Sequence, residues 1–499
     1  MATLWEEKIK SADKYYEKWA NKYKCAILEQ YYRGFQWAQS DGDAVPYSLN
    51  LFYATVDIKL ASYSFDGINF NIKPKPSKSD FNLEFATQVA QLKSDAINTL
   101  VQNPNALFLE EYEQALQDSF FRFGLMEVNY SADWIDNPNA GKPLYADSED
   151  PQGDPEKVIK EPGQIPENEQ IYFKRIDPAR FRVGGIEGRY LRQCNWVGYF
   201  DFYYAGDIKS DKGLTGASQL QTISHRSAEW DYSEEYDELL KKGDLLKIWT
   251  IFDLRSMTRI FWDQANDLIL KETPFTRLPL FDIRWIRDRV GWYPVPPAFN
   301  WLSPQDETNE SRQGMRDYRR RFVSQFQVVE EYIEQEELDK FEEGKSGGII
   351  KTKRPDAIQP IQNPQLTGVV REGMIVSKDD FVLMSGSSSE AFGTGDRMTA
   401  TQSIEISQRT RIRENRERSK ITAWLCKMAR EALLLAQSKM TMGFWVKCSA
   451  DPGKESLMGE VQLNTEAWNY ILSQDLDDGV DFDISVELSS MSPMANEDE

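Results

Sequence analysis

Histidine is almost absent: one residue, His225, in a chain of 499. Ser-His-Asp and Cys-His nucleophilic sites and multi-histidine metal centres all need imidazoles that this chain barely has. His225 itself stands in QTISHRSAEW, a polar stretch that reads as surface loop. Cysteine is scarce as well. Cys25, Cys194, Cys426 and Cys448 lie far apart with no CxxC spacing, so neither a zinc ribbon nor a disulfide framework is expected. They read as buried thiols in a reducing compartment. No apolar run approaches the roughly 20 residues needed to span a bilayer. The opening MATLWEEKIKSADKYYEKW is charged from the start, unlike a signal peptide. Positive charge is also in deficit, with 59 Lys and Arg against 80 Asp and Glu and a net charge of −21. That balance excludes a protein gripping nucleic acid over its whole surface.

Aromatic residues are plentiful: 14 Trp, 22 Tyr and 26 Phe within 40% hydrophobic residues. They can fill real cores, and the length suits two or three domains. Residues 4–36 carry apolar side chains at helical spacing, and further helices are expected from Pro46, over 81–102 and over 106–123. A short strand is expected at 68–72 and another after Gly124. Residues 132–169 are rich in Pro, Gly and acid and read as a long exposed loop. From 170 to about 287 the pattern becomes an antiparallel meander, with Gln264-Ala265-Asn266-Asp267 as one of its turns.

Ser303 followed by Pro304 and Asp306 predicts the start of a long helix, with Asp306 and Glu307 in its first turn and Arg319, Arg320 and Arg321 downstream. Thr399, with Gln402 three residues on, predicts the longest helix, 399–437. Pro364, Gly368 and Gly373 interrupt the pattern before a short helical FVLM. The last 60 residues read as strand-helix-strand in MGEVQL, TEAWNYILSQ and DFDISVEL. No solenoid repeat is present.

Candidate chemistry is sparse. Gly344-Lys345-Ser346 copies the end of a phosphate-binding loop, but Asp339 occupies the position of its required first glycine, so it reads as a turn. Gly393-Thr394-Gly395 reads as a flexible loop. Asp306, Glu307 and Glu310 could hold a divalent metal, yet capping alone accounts for carboxylates there. The acidic run at 330–343 reads as a solvated helix face. The stretch RTRIRENRERSKITAWLCKMAR stands out in an acidic chain. At 100° per residue Arg409, Arg413, Arg416, Lys420 and Lys427 share one stripe, with Arg411 and Arg418 opposite. Ile421, Trp424, Leu425, Met428, Ala432 and Leu435 form an apolar stripe in the second half only. A solvated helix, a DNA contact and a subunit interface compete, and the last suits an acidic chain best.

The order of these parts resembles the portal proteins of tailed double-stranded DNA bacteriophages, the podovirus-like head-to-tail connectors. GWYPVPPAFNWLSPQDETNESRQGMRDYRRRF is similar to the passage into a portal's first stem helix. GTGDRMTATQSIEISQRTR is similar to the end of a tunnel loop and the start of the long helix behind it. NLFYATVDIKLASYSFDGINFNIKP is similar to the N-terminal wing. The resemblance covers roughly residues 45–490. It implies an α+β portal-type fold: a wing of helices and antiparallel strands over 1–300, a first stem helix at 301–327 and a small α/β clip at 328–365. A second stem helix would follow at 366–384, a tunnel loop at 385–398, the long helix at 399–437, and a C-terminal wing or crown base at 438–499.

The resemblance further implies a homo-oligomeric ring, usually of twelve copies, at one capsid vertex of the virion, assembled in the host cytoplasm. Double-stranded DNA would pass through its axis during packaging and ejection. Partners would be the terminase large subunit, a tail adaptor, and the major capsid and scaffolding proteins, with no membrane, cofactor, metal or catalytic residue. The DNA-facing loop would present Ser385, Ser387, Ser388, Ser389, Phe392, Thr394 and Arg397. Lys345, Lys351, Lys353 and Arg354 would meet the motor or adaptor. Subunits would join through Arg312, Arg316, Arg319, Arg320, Arg409, Arg413, Arg416 and Lys420. The alternatives are a metal-dependent DNA-processing hydrolase using Asp306, Glu307 and Glu310, and another ring-forming head-tail connector.

Overall fold

The computed structural model describes residues 2–37, 47–63, 68–75, 83–142, 162–185, 188–211, 213–216, 220, 245–322, 326–342, 351–355, 357–360, 368–386, 400–441, 444–449, 462–463, 466–471 and 482–486. The chain is mixed α+β, with helices beside antiparallel sheets. It divides into two compact units, one made of 1–26, 56–299 and 399–499, the other of 27–55 and 300–398.

Helix α1 (Ala2–Lys22) is followed by α2 (Cys25–Tyr32), across a break at Lys24 with φ of 51°. Trp5, Ile9, Ala12, Tyr16, Trp19 and Tyr23 recur every three or four residues and are all buried, so α1 presents one continuous apolar face. Helix α3 is Leu51–Tyr63 and strand β1 is Phe70–Pro74. Helices α4 (Leu83–Gln102) and α5 (Phe108–Phe121) lead into β2 (Gly124–Asp136). Strand β3 (Gln164–Arg175) pairs with β2 over its whole length, with a bulge between Ser131 and Asp133. The expected loop at 132–169 is therefore strand at both ends. Trp134↔Pro166 and Ile135↔Ile165 form a short ladder hidden in an acidic, proline-rich context.

Strands β4 (Phe181–Gly184), β5 (Trp196–Tyr204), helix α6 (Ala205–Ser210), and strands β6 (Leu245–Asp253), β7 (Thr258–Asp263) and β8 (Leu268–Pro274) follow. The five strands make the expected meander in the order β4-β5-β6-β7-β8. Its turn at 264–267 holds Asp267 at φ 53°, and Gln264 Oε1 accepts from Trp249 Nε1 at 3.0 Å. Strand β9 (Leu280–Ile283) adds to β2, completing a sheet ordered β3-β2-β9. Helix α1 lies against β4, with Trp5 edge-on to Trp196 at 5.7 Å and Trp19 stacked on Tyr293 at 4.9 Å.

A 3₁₀ turn, Pro297–Trp301, runs straight into α7 (Leu302–Phe322), so Ser303 sits in the first turn instead of capping it. Then come β10 (Phe326–Val328), α8 (Gln335–Glu342), β11 (Ile358–Pro360), α9 (Gly368–Ser385) and α10 (Ala400–Lys439). Strands β12 (Phe444–Ser449), β13 (Gln462–Leu463), β14 (Glu466–Ile471) and β15 (Phe482–Val486) end the described chain. Strand β15 pairs with β1.

Two expectations are corrected here. TEAWNYI is strand, not helix: β14 lies between β12 and β13, pairing Phe444↔Ile471 and Trp445↔Tyr470. Nor do the glycines interrupt the second helix of the pair. Helix α9 begins at Gly368 and runs through Gly373, because one helical glycine costs only about 1 kcal/mol and buried packing offsets it. In this unit Phe381, Phe52 and Trp301 form an aromatic core, with ring centroids 5.5–6.3 Å apart.

Candidate functional site

Positions 305, 309 and 313 recur every four residues, so their side chains form one row along α7. Gln305 Nε2 donates to Leu49 O at 2.7 Å, and its Oε1 accepts from Leu51 N at 3.1 Å. Asn309 Oδ1 accepts from Leu49 N at 3.0 Å and Gln313 Oε1 from Tyr47 N at 2.8 Å. Four helical residues rise about 6 Å and two extended residues about 6.6 Å. The row of carboxamides therefore serves alternate backbone groups of residues 47–51 as a neighbouring strand would. Gln36 closes the network: its Oε1 accepts from Gln305 Nε2 at 3.1 Å and from Asn309 Nδ2 at 2.7 Å. Gln305 and Asn309 are buried, so the network is internal structure. Sequence reasoning missed it, although the four-residue spacing of carboxamides was its available signal.

Arg312 and Arg316 continue the same helix face, half-buried, instead of pointing away from the unit. Arg312 Nε is buried and finds no acceptor. Lys378 on α9 lies near it, its pKa lowered first by burial and then by the Arg312 charge. The side chains of Arg319 and Arg320 lie outside the described residues. Asp306 accepts from Tyr31 Oη at 2.6 Å. Burial, and then that bond, push the Tyr31 phenol up. Among the described residues no three His, Cys, Asp or Glu side chains come together to hold a metal ion.

Between α7 and α9 the antiparallel pair β10–β11, Phe326↔Pro360 to Val328↔Ile358, closes a small α/β piece containing α8. Its cations are exposed and locally tethered. Lys353 Nζ lies 3.8 Å from Glu334, and the Arg354 guanidinium stands 4.6 Å over the Tyr332 ring. The Lys351 backbone N–H donates to Glu337 at 3.1 Å. Lys345 and the Gly344-Lys345-Ser346 turn lie outside the described residues. Ser385, expected in a loop, is the buried last residue of α9, which ends on Gly386 at φ 74°. Ser387, Ser388, Ser389, Phe392, Thr394 and Arg397 lie outside the described residues, as do Thr399 and His225.

Helix α10 has 40 residues and two characters. Ile421, Trp424, Leu425, Met428, Ala432 and Leu433 are buried, while Leu435 is only half-buried. Trp424 Nε1 donates to Phe281 O at 3.1 Å. One turn earlier, Glu417 pairs with Lys59 Nζ at 2.9 Å and accepts from Tyr63 Oη. Further toward the N-terminus Ile412, Arg413 and Arg416 are exposed, and the side chains of 401–411 lie outside the described residues, Arg409 among them. Lys420 donates to Trp285 O, and its pKa is lowered by burial first, then by Arg416 and Arg287. Exposed Arg413 and Arg416 and half-buried Lys420 thus lie within two turns of one another on α10.

No family model matches the chain, and no curated protein matches it. No helix among the described residues is long and apolar enough to cross a membrane.

Proposed function

We propose that the chain is a portal subunit of a tailed double-stranded DNA bacteriophage. Copies form a ring, twelve in that family, at one capsid vertex, and DNA passes along its axis. The observation that carries this reading is the sequence α7, closed α/β piece, α9, then a 40-residue helix. The three-residue β10–β11 pair brings the chain back beside the point where it left, so two packed helices flank a small projecting piece. Such a piece suits docking by a terminase motor and then a tail adaptor, with Lys351, Lys353 and Arg354 on its surface.

Charge favours the same role. A channel must let DNA slide, so tight phosphate binding would be a fault, and a chain of net charge −21 avoids it. Residues 385–398, with Arg397 near their end, would supply the few contacts to moving DNA, and the exposed Arg413 and Arg416 would join subunits. The chain performs no chemistry in this reading.

Negative-stain electron microscopy of the purified protein, alone and with scaffolding and capsid protein, tests it. Rings with an open axis are expected. Monomers in every mixture, together with magnesium-dependent cutting of DNA, would overturn the reading and return attention to Asp306, Glu307 and Glu310.

A further inference from the structure

Helix α9 is buried on one side and carries exposed apolar side chains on the other. One side holds Ser377, Phe381 and Ser385, all buried inside their unit. On the other, Ile375, Val376, Leu383 and Met384 are 47%, 56%, 59% and 54% exposed. At 100° per residue Val376 and Leu383 fall within about 20° of each other and nearly opposite Phe381. Glu372 and Asp379 flank them on one side and Asp380 on the other, all exposed. An exposed apolar patch with a polar rim marks an interaction surface.

The rim decides the partner. Three carboxylates repel nucleic acid and repel a second α9 face. The complement is an apolar side chain framed by cations. This acidic chain has such a surface: on α10, Ile412 is 69% exposed, and Arg413 and Arg416, one and four residues on, are exposed beside it.

We propose that the outward face of α9 is an assembly surface that receives the exposed turn of α10 at 412–416 from a second copy. Val376 and Leu383 pack against Ile412, and Glu372, Asp379 and Asp380 face Arg413 and Arg416. The contact joins two different patches, so it is heterologous and closes into a ring when the rotation permits. It rests on the portal reading and adds which surfaces meet.

Charge reversal tests it by sedimentation and electron microscopy. The chain carrying Asp379→Arg and Asp380→Arg, and separately the chain carrying Arg413→Asp and Arg416→Asp, should need at least about a hundredfold more protein to form rings. Circular dichroism should stay unchanged, because all four side chains are exposed. All four substitutions in one chain should restore rings. Intact rings in the first variant would overturn the surface and leave the portal reading standing. Failure of the combined variant to recover would overturn the pairing with α10. A wild-type chain that never forms rings would overturn both.

Discussion

Gln305 and Leu49, 256 residues apart, are joined by a 2.7 Å hydrogen bond from the carboxamide to the backbone carbonyl. The same side chain accepts from Leu51 N at 3.1 Å. One fully buried amide thus satisfies a donor and an acceptor of a segment that pairs with no strand among the described residues.

Replacing Gln305 with Ala should therefore cost about 2–3 kcal/mol, since two half-buried backbone groups lose their partner. Gln313→Ala should cost less than about 1 kcal/mol, because the Tyr47 N–H it serves is exposed. Chemical denaturation of the two variants checks the ranking, and equal losses would contradict the burial argument.

The two halves of α10 predict opposite outcomes. Leu425→Ala removes a fully buried side chain and should cost about 3 kcal/mol. Ile412→Ala, at a position 69% exposed, should stay within about 0.5 kcal/mol. Thermal melts of both variants, compared at equal assembly state, provide the check.

What was legible in the sequence followed from local period. Trp5, Ile9, Ala12, Tyr16 and Trp19 repeat at helical spacing, and α1 is where that spacing puts it. The meander was legible from its turns, and the apolar half of α10 from Ile421 to Ala432. Non-local pairing was hidden. Strand β14 reads as helix because Trp468, Tyr470 and Ile471 suit either state, and pairing with β12, 17 or more residues upstream in every pair, and with β13 on its other side fixes it as strand. Gln305, Asn309 and Gln313 look like a solvent face, since a carboxamide in sequence gives no sign of which backbone it will meet. Arg312 and Arg316 fall on the same helix face as Gln305 and are half-buried there, which their sequence context alone does not reveal.

Gly124 allows no side chain. A Cβ there would lie 2.3 Å from Ala115 O and 2.5 Å from Ile283 Cγ2, and the first contact is helix backbone that cannot swing aside. Gly124→Ala should separate α5 from β2 and cost at least about 2 kcal/mol. Gly141→Ala, with open space around it but φ of 80°, should cost about 1 kcal/mol from backbone strain alone. Urea midpoints of the pair distinguish a packing clash from a conformational one.

Thiol chemistry should be slow. Burial pushes the Cys194 thiol up to about 12, and burial also raises Cys426. Near pH 8 only about one Cys194 in ten thousand is thiolate, and the thiolate is the reactive form. Iodoacetamide should therefore modify Cys194 at least about a hundredfold more slowly in the native protein than in urea. Mass spectrometry of the labelled peptide reads the ratio, and rapid native labelling would contradict the burial.

Lys59 is 6% exposed, and its ammonium is matched by Glu417, 2.9 Å away on α10. Glu417→Gln should cost about 3–5 kcal/mol, because it leaves a buried cation without a counter-charge. Lys59→Met in the same chain should recover most of that loss, since a pair of buried charges replaced together by uncharged side chains is often nearly neutral. The neighbouring phenol sharpens the test. Burial first, then the Glu417 charge, holds the Tyr63 hydroxyl far above its ordinary value of 10. Its folded pKa thus exceeds its unfolded one. The stability this contributes is complete below pH 10 and is lost as pH rises above it, while the unfolded phenol ionises and the folded one stays protonated. Removing the Glu417 charge weakens one cause of the shift, so the alkaline loss should be shallower in Glu417→Gln. Denaturation midpoints of wild type, Glu417→Gln and the double variant at pH 7 and 11 give both readings. A double variant no more stable than the single one would show that Lys59 is solvated through some other route.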